Sequence, residues 1–217
     1  MVEILLIRHG ETDWNAEKRL QGHLDIELNA EGRRQAQALA EALRGEDLGA
    51  VFASDLQRAR HTAAPLAAMR GLPVQIEPQL RERCYGAFEG LRYADIGERY
   101  PEAYQAMLAR EPDARFPMGA NRAETLREFS ERSLTALGAV VKRAVESAGL
   151  RRIAVVTHGG VLDCINRAAR GLDLAQKRDF DIPNAGINRL SWKNGAMQIH
   201  QWADVAHLPT ALDEVAQ

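Results

Sequence analysis

Two stretches of this chain share one grammar. Residues 2–8, VEILLIR, form an apolar run interrupted only by Glu3, and the run closes on Arg8, His9 and Gly10. Residues 151–160, RRIAVVTHGG, repeat the form: Ile, Ala and Val lead into His158 and two glycines. A strand with one wet face alternates apolar and polar residues, whereas a strand covered on both faces reads as a continuous apolar run. Both runs therefore predict interior strands of a mostly parallel sheet. Each delivers an imidazole to a strand's carboxyl end, where ligands bind in open α/β sheets.

The intervening pattern fits that architecture. Asn29 caps a predicted helix over 30–44 with Ala36, Leu39, Ala40 and Leu43 on one face. A strand is predicted over 50–54, then a helix capped by Ser54 or Asp55 that carries Leu56, Ala59, Ala63, Leu66 and Ala67. Pro65 should kink or end it. A third strand is expected over 72–78. Residues 80–122 are irregular, with two helical pieces broken at Pro101 and a Pro- and Gly-containing loop. Leu126, Phe129, Leu137, Val140, Ala144 and Ala148 mark a long helix over 123–148, stopped by Gly149. After the strand at 152–157 comes a helix to about Gly171, and Asn194-Gly195 turns a terminal hairpin. Strands alternating with helices give a three-layer α/β/α sandwich with a mostly parallel central sheet. The 217 residues, 46% of them hydrophobic, suit a single domain over 1–217.

Charge and composition narrow the function. A net charge of -2 and a pI near 6.3 give no basic excess for a nucleic-acid partner. No apolar run is long enough to span a bilayer, and the amino terminus lacks a signal-peptide pattern. Cys84 and Cys164 stand in no spaced Cys/His cluster. They read as partly buried thiols of a reduced, cytoplasmic protein rather than as nucleophiles or metal ligands. The hairpin leaves an edge that a second copy could use to form a homodimer.

One histidine after a strand is an ordinary turn residue, and Arg8 alone an ordinary surface cation. Two such strand ends, each with a glycine that permits close backbone approach and one opening a helix, make an anion pocket. Arg8 and Arg58 would complete it for a dianionic phosphoryl group.

LLIRHGETDWN, ASDLQRARHTA, LRERCYGAFEG and VVTHGG resemble, in order and spacing, the motifs of the histidine phosphatase superfamily. That family includes cofactor-dependent phosphoglycerate mutases and many small-molecule phosphatases. The resemblance implies a phosphoglycerate mutase-like fold. It makes His9 the nucleophile that becomes phosphohistidine. Arg8, Arg58 and His158 become clamps on the phosphoryl oxygens, and Glu82 the proton donor. Asn15, Gln21 and Gly22 then line the phosphate pocket, and Gly159 offers a backbone N–H. Arg83 and Tyr85 match residues that bind glycerate in the mutases. No metal and no cofactor are implied. The chemistry suits the residue types, because phosphoryl transfer needs an in-line nucleophile and charge stabilisation. It also asks that Glu82 have a raised pKa, so that it can protonate the leaving alkoxide.

Each assignment has a plainer rival. Glu82 could pair with Arg81 or Arg83, Asn15 could cap a turn, Arg58 could face solvent, and Gly10 could serve only its turn; His23, His61, His200 and His207 read as surface or structural residues, with support of the clamp helix the alternative for His61. Within the family, Tyr93 stands where the mutases carry lysine and Gly160 where they carry asparagine. The loop over 111–122 is short, with Arg115 and Arg122 as the available basic substitutes. Glu124-Thr125 is the nearest match to a Glu-Ser pair of the phosphatases. The expected activity is therefore hydrolysis of a small phosphorylated metabolite, with a substrate-lid segment within about 80–122. The alternatives are a cofactor-dependent phosphoglycerate mutase and, behind it, a non-catalytic phospho-ligand-binding protein.

Overall fold

A computed structural model describes residues 1–148 and 150–209. Its centre is a six-stranded sheet in the order β3-β2-β4-β1-β5-β6. The strands are β1 (Val2–Arg8), β2 (Ala50–Ala53), β3 (Val74–Ile76), β4 (Arg152–Thr157), β5 (Ile187–Lys193) and β6 (Ala196–Asp204). The first four run parallel to one another, and β5 and β6 form the antiparallel hairpin.

The side-chain alternation of β1, β2 and β4 explains their continuous apolar runs. Ile4, Leu6, Phe52, Ile153 and Val155 point to one face, where they pack with helices α6 (Leu126–Ala148) and α7 (Gly159–Arg170). Leu5, Ile7, Val51, Ala154 and Val156 point to the other, under α2 (Ala30–Ala42) and α3 (Gln57–Met69). Every one of these strand residues is buried, and each large side chain so covered contributes roughly 1.5–3 kcal/mol. The three layers predicted from the sequence are the layers found.

Several boundaries move. Strand β3 is three residues long and half exposed, as befits an edge. Helix α6 starts at Leu126 rather than 123, and Ala123 packs instead into a small separate core. The predicted stop at Gly149 lies outside the described residues. Pro65 does not end α3, which continues to Met69. Neither Ser54 nor Asp55 caps that helix. Its N-cap is Leu56, and Asp25 Oδ1 accepts from Gln57 N–H at 2.7 Å from 32 residues upstream.

The 80–122 segment carries α4 (Tyr93–Arg99) and α5 (Pro101–Leu108), broken at Pro101 as the sequence indicates. Phe88, Ile96, Met107 and Phe116 bury each other with Leu20 and Tyr85 from the site. This small core has one contributor from each of several turns, so it leaves no helical or strand period to read.

One close approach fixes the loop after β1. Asn29 Oδ1 accepts from Gly32 N–H (2.8 Å), which caps α2 and brings its first turn against Gly10 and Glu11. A Cβ at Gly32 would fall 2.0 Å from the Glu11 carbonyl oxygen, and one at Gly10 would fall 2.7 Å from the Gly32 carbonyl oxygen. Both obstacles are backbone, which cannot swing aside. Gly32→Ala is expected to destabilise the protein by about 2–3 kcal/mol in denaturant unfolding. Gly45→Ala, whose Cβ meets nothing within 4 Å, should stay within about 0.5 kcal/mol of the parent. Equal midpoints for the two variants would contradict the packing described.

Candidate active site

The parallel register pairs Arg8 with Thr157, and His9 N–H continues the ladder to Thr157 O at 2.9 Å. The next residue on both strands is histidine. His9 and His158 thus leave adjacent strand ends side by side, with ring centroids 5.2 Å apart. Both are buried.

Their hydrogen bonds fix their tautomers. His9 Nδ1 lies 2.7 Å from the Gly10 carbonyl oxygen, which can only accept, so Nδ1 carries the proton and Nε2 the lone pair. Arg58 Nε–H, which can only donate, reaches His158 Nδ1 at 3.2 Å. His158 Nε2 therefore carries hydrogen and donates to Ser54 Oγ at 2.8 Å. Burial, then Arg58, then Arg8 hold the pKa of His9 well below the ordinary histidine value. The Gly10 carbonyl opposes them. Burial and Arg58 do the same to His158. Both rings are neutral at physiological pH.

The two clamp candidates are buried guanidiniums set by the main chain. Arg8 Nη1 donates to Ile182 O (2.6 Å). Arg58, on the first turn of α3, donates from Nη1 to Leu24 O (2.8 Å) and from Nη2 to Gly22 O (2.7 Å). Arg58 does not lie on a solvated helix face. Thr62, one turn on, accepts from Gly10 N–H (2.9 Å) and donates to Arg58 O (2.7 Å). His61 beside it is exposed, in keeping with its reading as a surface residue.

Glu82 stands opposite and is buried. Its Oε1 accepts from Arg83 N–H (2.8 Å) and its Oε2 from Gly160 N–H (2.9 Å). Arg81 is paired instead with Asp55 (2.6 Å). The Glu82 carbonyl oxygen accepts from His23 Nε2 (2.8 Å) and Arg132 Nη2 (3.1 Å). Gly159 opens α7, but the N–H that reaches the carboxylate belongs to Gly160.

Arg8, His9, Arg58 and Glu82 line one pocket, together with Asn15, Gln21, Gly22, Tyr85, Lys18 and Arg19. Asn15 both lines the pocket and closes a capping box with Thr12. Gly22 has φ +54°, and a Cβ there would strike the Glu89 carboxylate at 2.1 Å. Arg83 and Gly159 line a neighbouring cavity, with Tyr85 shared between the two. Cys84 and Cys164 are free and buried, and burial pushes their thiols up to about 11 and about 12. Among the described residues no group of three or more His, Cys, Asp or Glu side chains is placed to hold a metal ion, and no helix is long and apolar enough to cross a membrane.

A sequence model of the histidine phosphatase superfamily (branch 1) matches residues 4–205. The chain belongs to that superfamily. It is 41% identical over 95% of its length to phosphoglycerate mutase-like protein 4 of Arabidopsis thaliana, covering 86% of that protein. It is 38% identical over 96% of its length to the metal-independent phosphoserine phosphatase of the same plant, covering 84% of that protein. A mycobacterial glucosyl-3-phosphoglycerate phosphatase solved with VO3 superposes with a TM-score of 0.79 at 31% identity, over 94% of this chain and 99% of that one.

Four residues outside the pocket lining hold the groups of this superfamily member's site from behind: Ser54, Thr62, Asn184 and His23. Ser54 reads from the sequence as a helix cap, and Thr62 as one more residue of its helix. Asn184 donates to His9 O (3.0 Å) from a segment 175 residues away, and His23 reaches the back of Glu82. The surplus of short polar side chains just after strand ends was the available signal for Ser54, and nothing local marks the other three.

The buried histidines predict a pH dependence. Their folded pKa values lie below the unfolded one, so the unfolded chain binds more protons as pH falls. Their contribution is fully present above the ordinary histidine pKa and is lost below it. Burial shifts His23 and His207 the same way. Denaturant unfolding should show stability falling between about pH 7 and pH 5, by up to about 1.4 kcal/mol per pH unit for each of the fully buried pair His9 and His158. A flat profile would show that His9 and His158 are not buried and neutral.

Proposed function

We propose that this protein hydrolyses small phosphomonoesters without a metal, through a phosphohistidine at His9. The observation that carries the reading is the fixed tautomer of His9: a bare Nε2 lone pair, buried between Arg8 and Arg58, on one pocket with the Glu82 carboxyl group.

The chemistry follows from those groups. Nε2 attacks phosphorus as the bond to the ester oxygen breaks, and the buried guanidiniums take up the charge spread over the phosphoryl oxygens. Glu82 gives its proton to the departing alkoxide. Water then attacks the phosphohistidine, Glu82 recovers a proton from it, and the N–P bond breaks to release phosphate. Asn15 Oδ1 serves the Thr12 cap, so its NH2 group is the end suited to an oxyanion. A bound dianion favours protonation of His158, which would turn Nδ1 from an acceptor of Arg58 into a donor. Two free buried thiols support a reducing, cytoplasmic setting.

A mutase would use the same phosphohistidine, and the buried Arg83 beside Tyr85 favours that second reading. Arg115 and Arg122 speak against it, since both turn to Glu128 (2.6 and 3.7 Å) rather than to the pocket. Glu124 lies behind the acid, paired with Arg132 (2.7 Å).

His9→Ala should abolish turnover and the acid-labile, alkali-stable phosphate trapped on brief exposure to substrate. Glu82→Gln should slow hydrolysis of alkyl phosphates by about 10²–10⁴-fold and of p-nitrophenyl phosphate far less, because nitrophenolate leaves without a proton. Full turnover by His9→Ala would refute the mechanism. Efficient isomerisation of 3-phosphoglycerate with negligible phosphate release would replace phosphatase with mutase.

A further inference from the structure

Four of the described helices stop in the same way. One residue turns into the left-handed backbone conformation and donates to the carbonyl three positions back, and the next residue donates to the carbonyl five back. In α3 and α7 the turning residue is glycine, Gly71 (φ +62°) and Gly171 (φ +67°), which adopts that conformation freely. In α5 it is Arg110 (φ +52°), and its side chain is in use: Nη2 meets Asp163 Oδ2 (2.5 Å) and Nε donates to Leu174 O (2.9 Å). The fourth is the short α1 (Asp13–Ala16), in the loop that follows the nucleophile. There Lys18 N–H reaches Asn15 O (3.1 Å) and Arg19 N–H reaches Trp14 O (2.8 Å), with Lys18 at φ +54°. A lysine holds that conformation at a cost that glycine escapes. Among the described residues no hydrogen bond or ion pair of its ammonium group offsets the cost.

Lys18 is exposed, and it lines the pocket that holds His9 and Glu82. The charges on that pocket divide by depth. Arg8 and Arg58 are fully buried, and their two charges match a phosphoryl dianion. Arg19 lies over the Trp14 ring, with Nη1 on Gly90 O (2.6 Å) and Nη2 on Glu17 (3.0 Å). Glu82 is the one acidic residue among the described pocket-lining residues, and it is uncharged when it delivers its proton. One positive charge, that of Lys18, is then left at the exposed side of the pocket, and it matches a monoanion.

We infer that Lys18 binds a carboxylate on the substrate's leaving group, so that the preferred esters are phosphorylated hydroxy acids. A lysine that only kept the surface wet needs no strained backbone, and strain of this kind gathers where a side chain has work at a ligand. The inference rests on the phosphatase reading and adds the class of alcohol released.

The test compares 3-phosphonooxypropanoate with 3-phosphonooxypropanamide, which match in shape and differ by one charge. For the parent protein kcat/KM should favour the acid by about 5-fold at low ionic strength, the scale of one exposed ion pair, and by less than about 2-fold in about 0.5 M salt. Lys18→Gln should bring the two esters within about 2-fold in dilute buffer as well, whereas Lys18→Arg keeps the charge and should keep the preference. Lys18→Gly should lose the preference while its denaturant midpoint stays at or above the parent's, because glycine relieves the backbone. A lysine kept for packing would give the reverse, a lower midpoint and an unchanged preference. If the variants fail to fold, the parent's ratio and its salt dependence decide. Equal hydrolysis of acid and amide by the parent, a preference that survives high salt, or one retained by a folded Lys18→Gln overturns the inference. Failure of the phosphatase reading would look different: no hydrolysis of p-nitrophenyl phosphate by the parent at all.

Discussion

The register between β1 and β4 is the constraint on which the site depends. Because Arg8 faces Thr157, the residues just past the ladder are His9 and His158, and their rings meet. A slip of one residue would turn Ile4 and Leu6 from one core to the other, so burial on both faces of the sheet enforces the register. The placement of the imidazoles is thus a consequence of core packing. A nucleophile mounted on such a strand is held more accurately than one on a loop.

Once placed, the two histidines are assigned opposite jobs by groups with no freedom. The Gly10 carbonyl can only accept, and this exposes Nε2 of His9. Arg58 Nε–H can only donate, and this exposes Nε2–H of His158 to Ser54. The same guanidinium that holds the His158 tautomer also depresses both pKa values. Two protonated imidazoles beside two buried arginines would be costly without an anion. Neutral rings let the fold keep its cations in place, and a dianion entering the pocket would meet a positive field that is already assembled.

The parts of this plan that live in local sequence were legible. Continuous apolar runs announced the interior strands, and the His-Gly endings announced the pocket. What escaped depends on approaches between distant segments. Ser54 looked like a helix cap because local sequence offered no better acceptor, yet Asp25 arrives from 32 residues away and leaves Ser54 to His158. Gly160 rather than Gly159 meets Glu82, a choice made by the pitch of α7 against the acid. The 80–122 segment stayed opaque because its core is assembled from single residues of several short turns.

Glu82 stands at the start of that segment, yet it is held independently of the part that carries α4 and α5. Its carboxylate is fixed by Arg83 N–H and by α7, and its carbonyl by His23 from the first loop and Arg132 from α6. None of these four contacts comes from α4, α5 or the loop after them. The Glu82 side chain is therefore anchored to the sandwich, whereas Met107 and Phe116, which shape the neighbouring cavity, belong to the segment that carries α4 and α5. Substitutions there can reshape the neighbouring cavity while the Glu82 carboxylate stays in place beside the His9 pocket. Asp163 is the intermediate case, carried by α7 yet tied through Arg110 to the residue just past α5, so it belongs to the rigid frame and to the variable wall together.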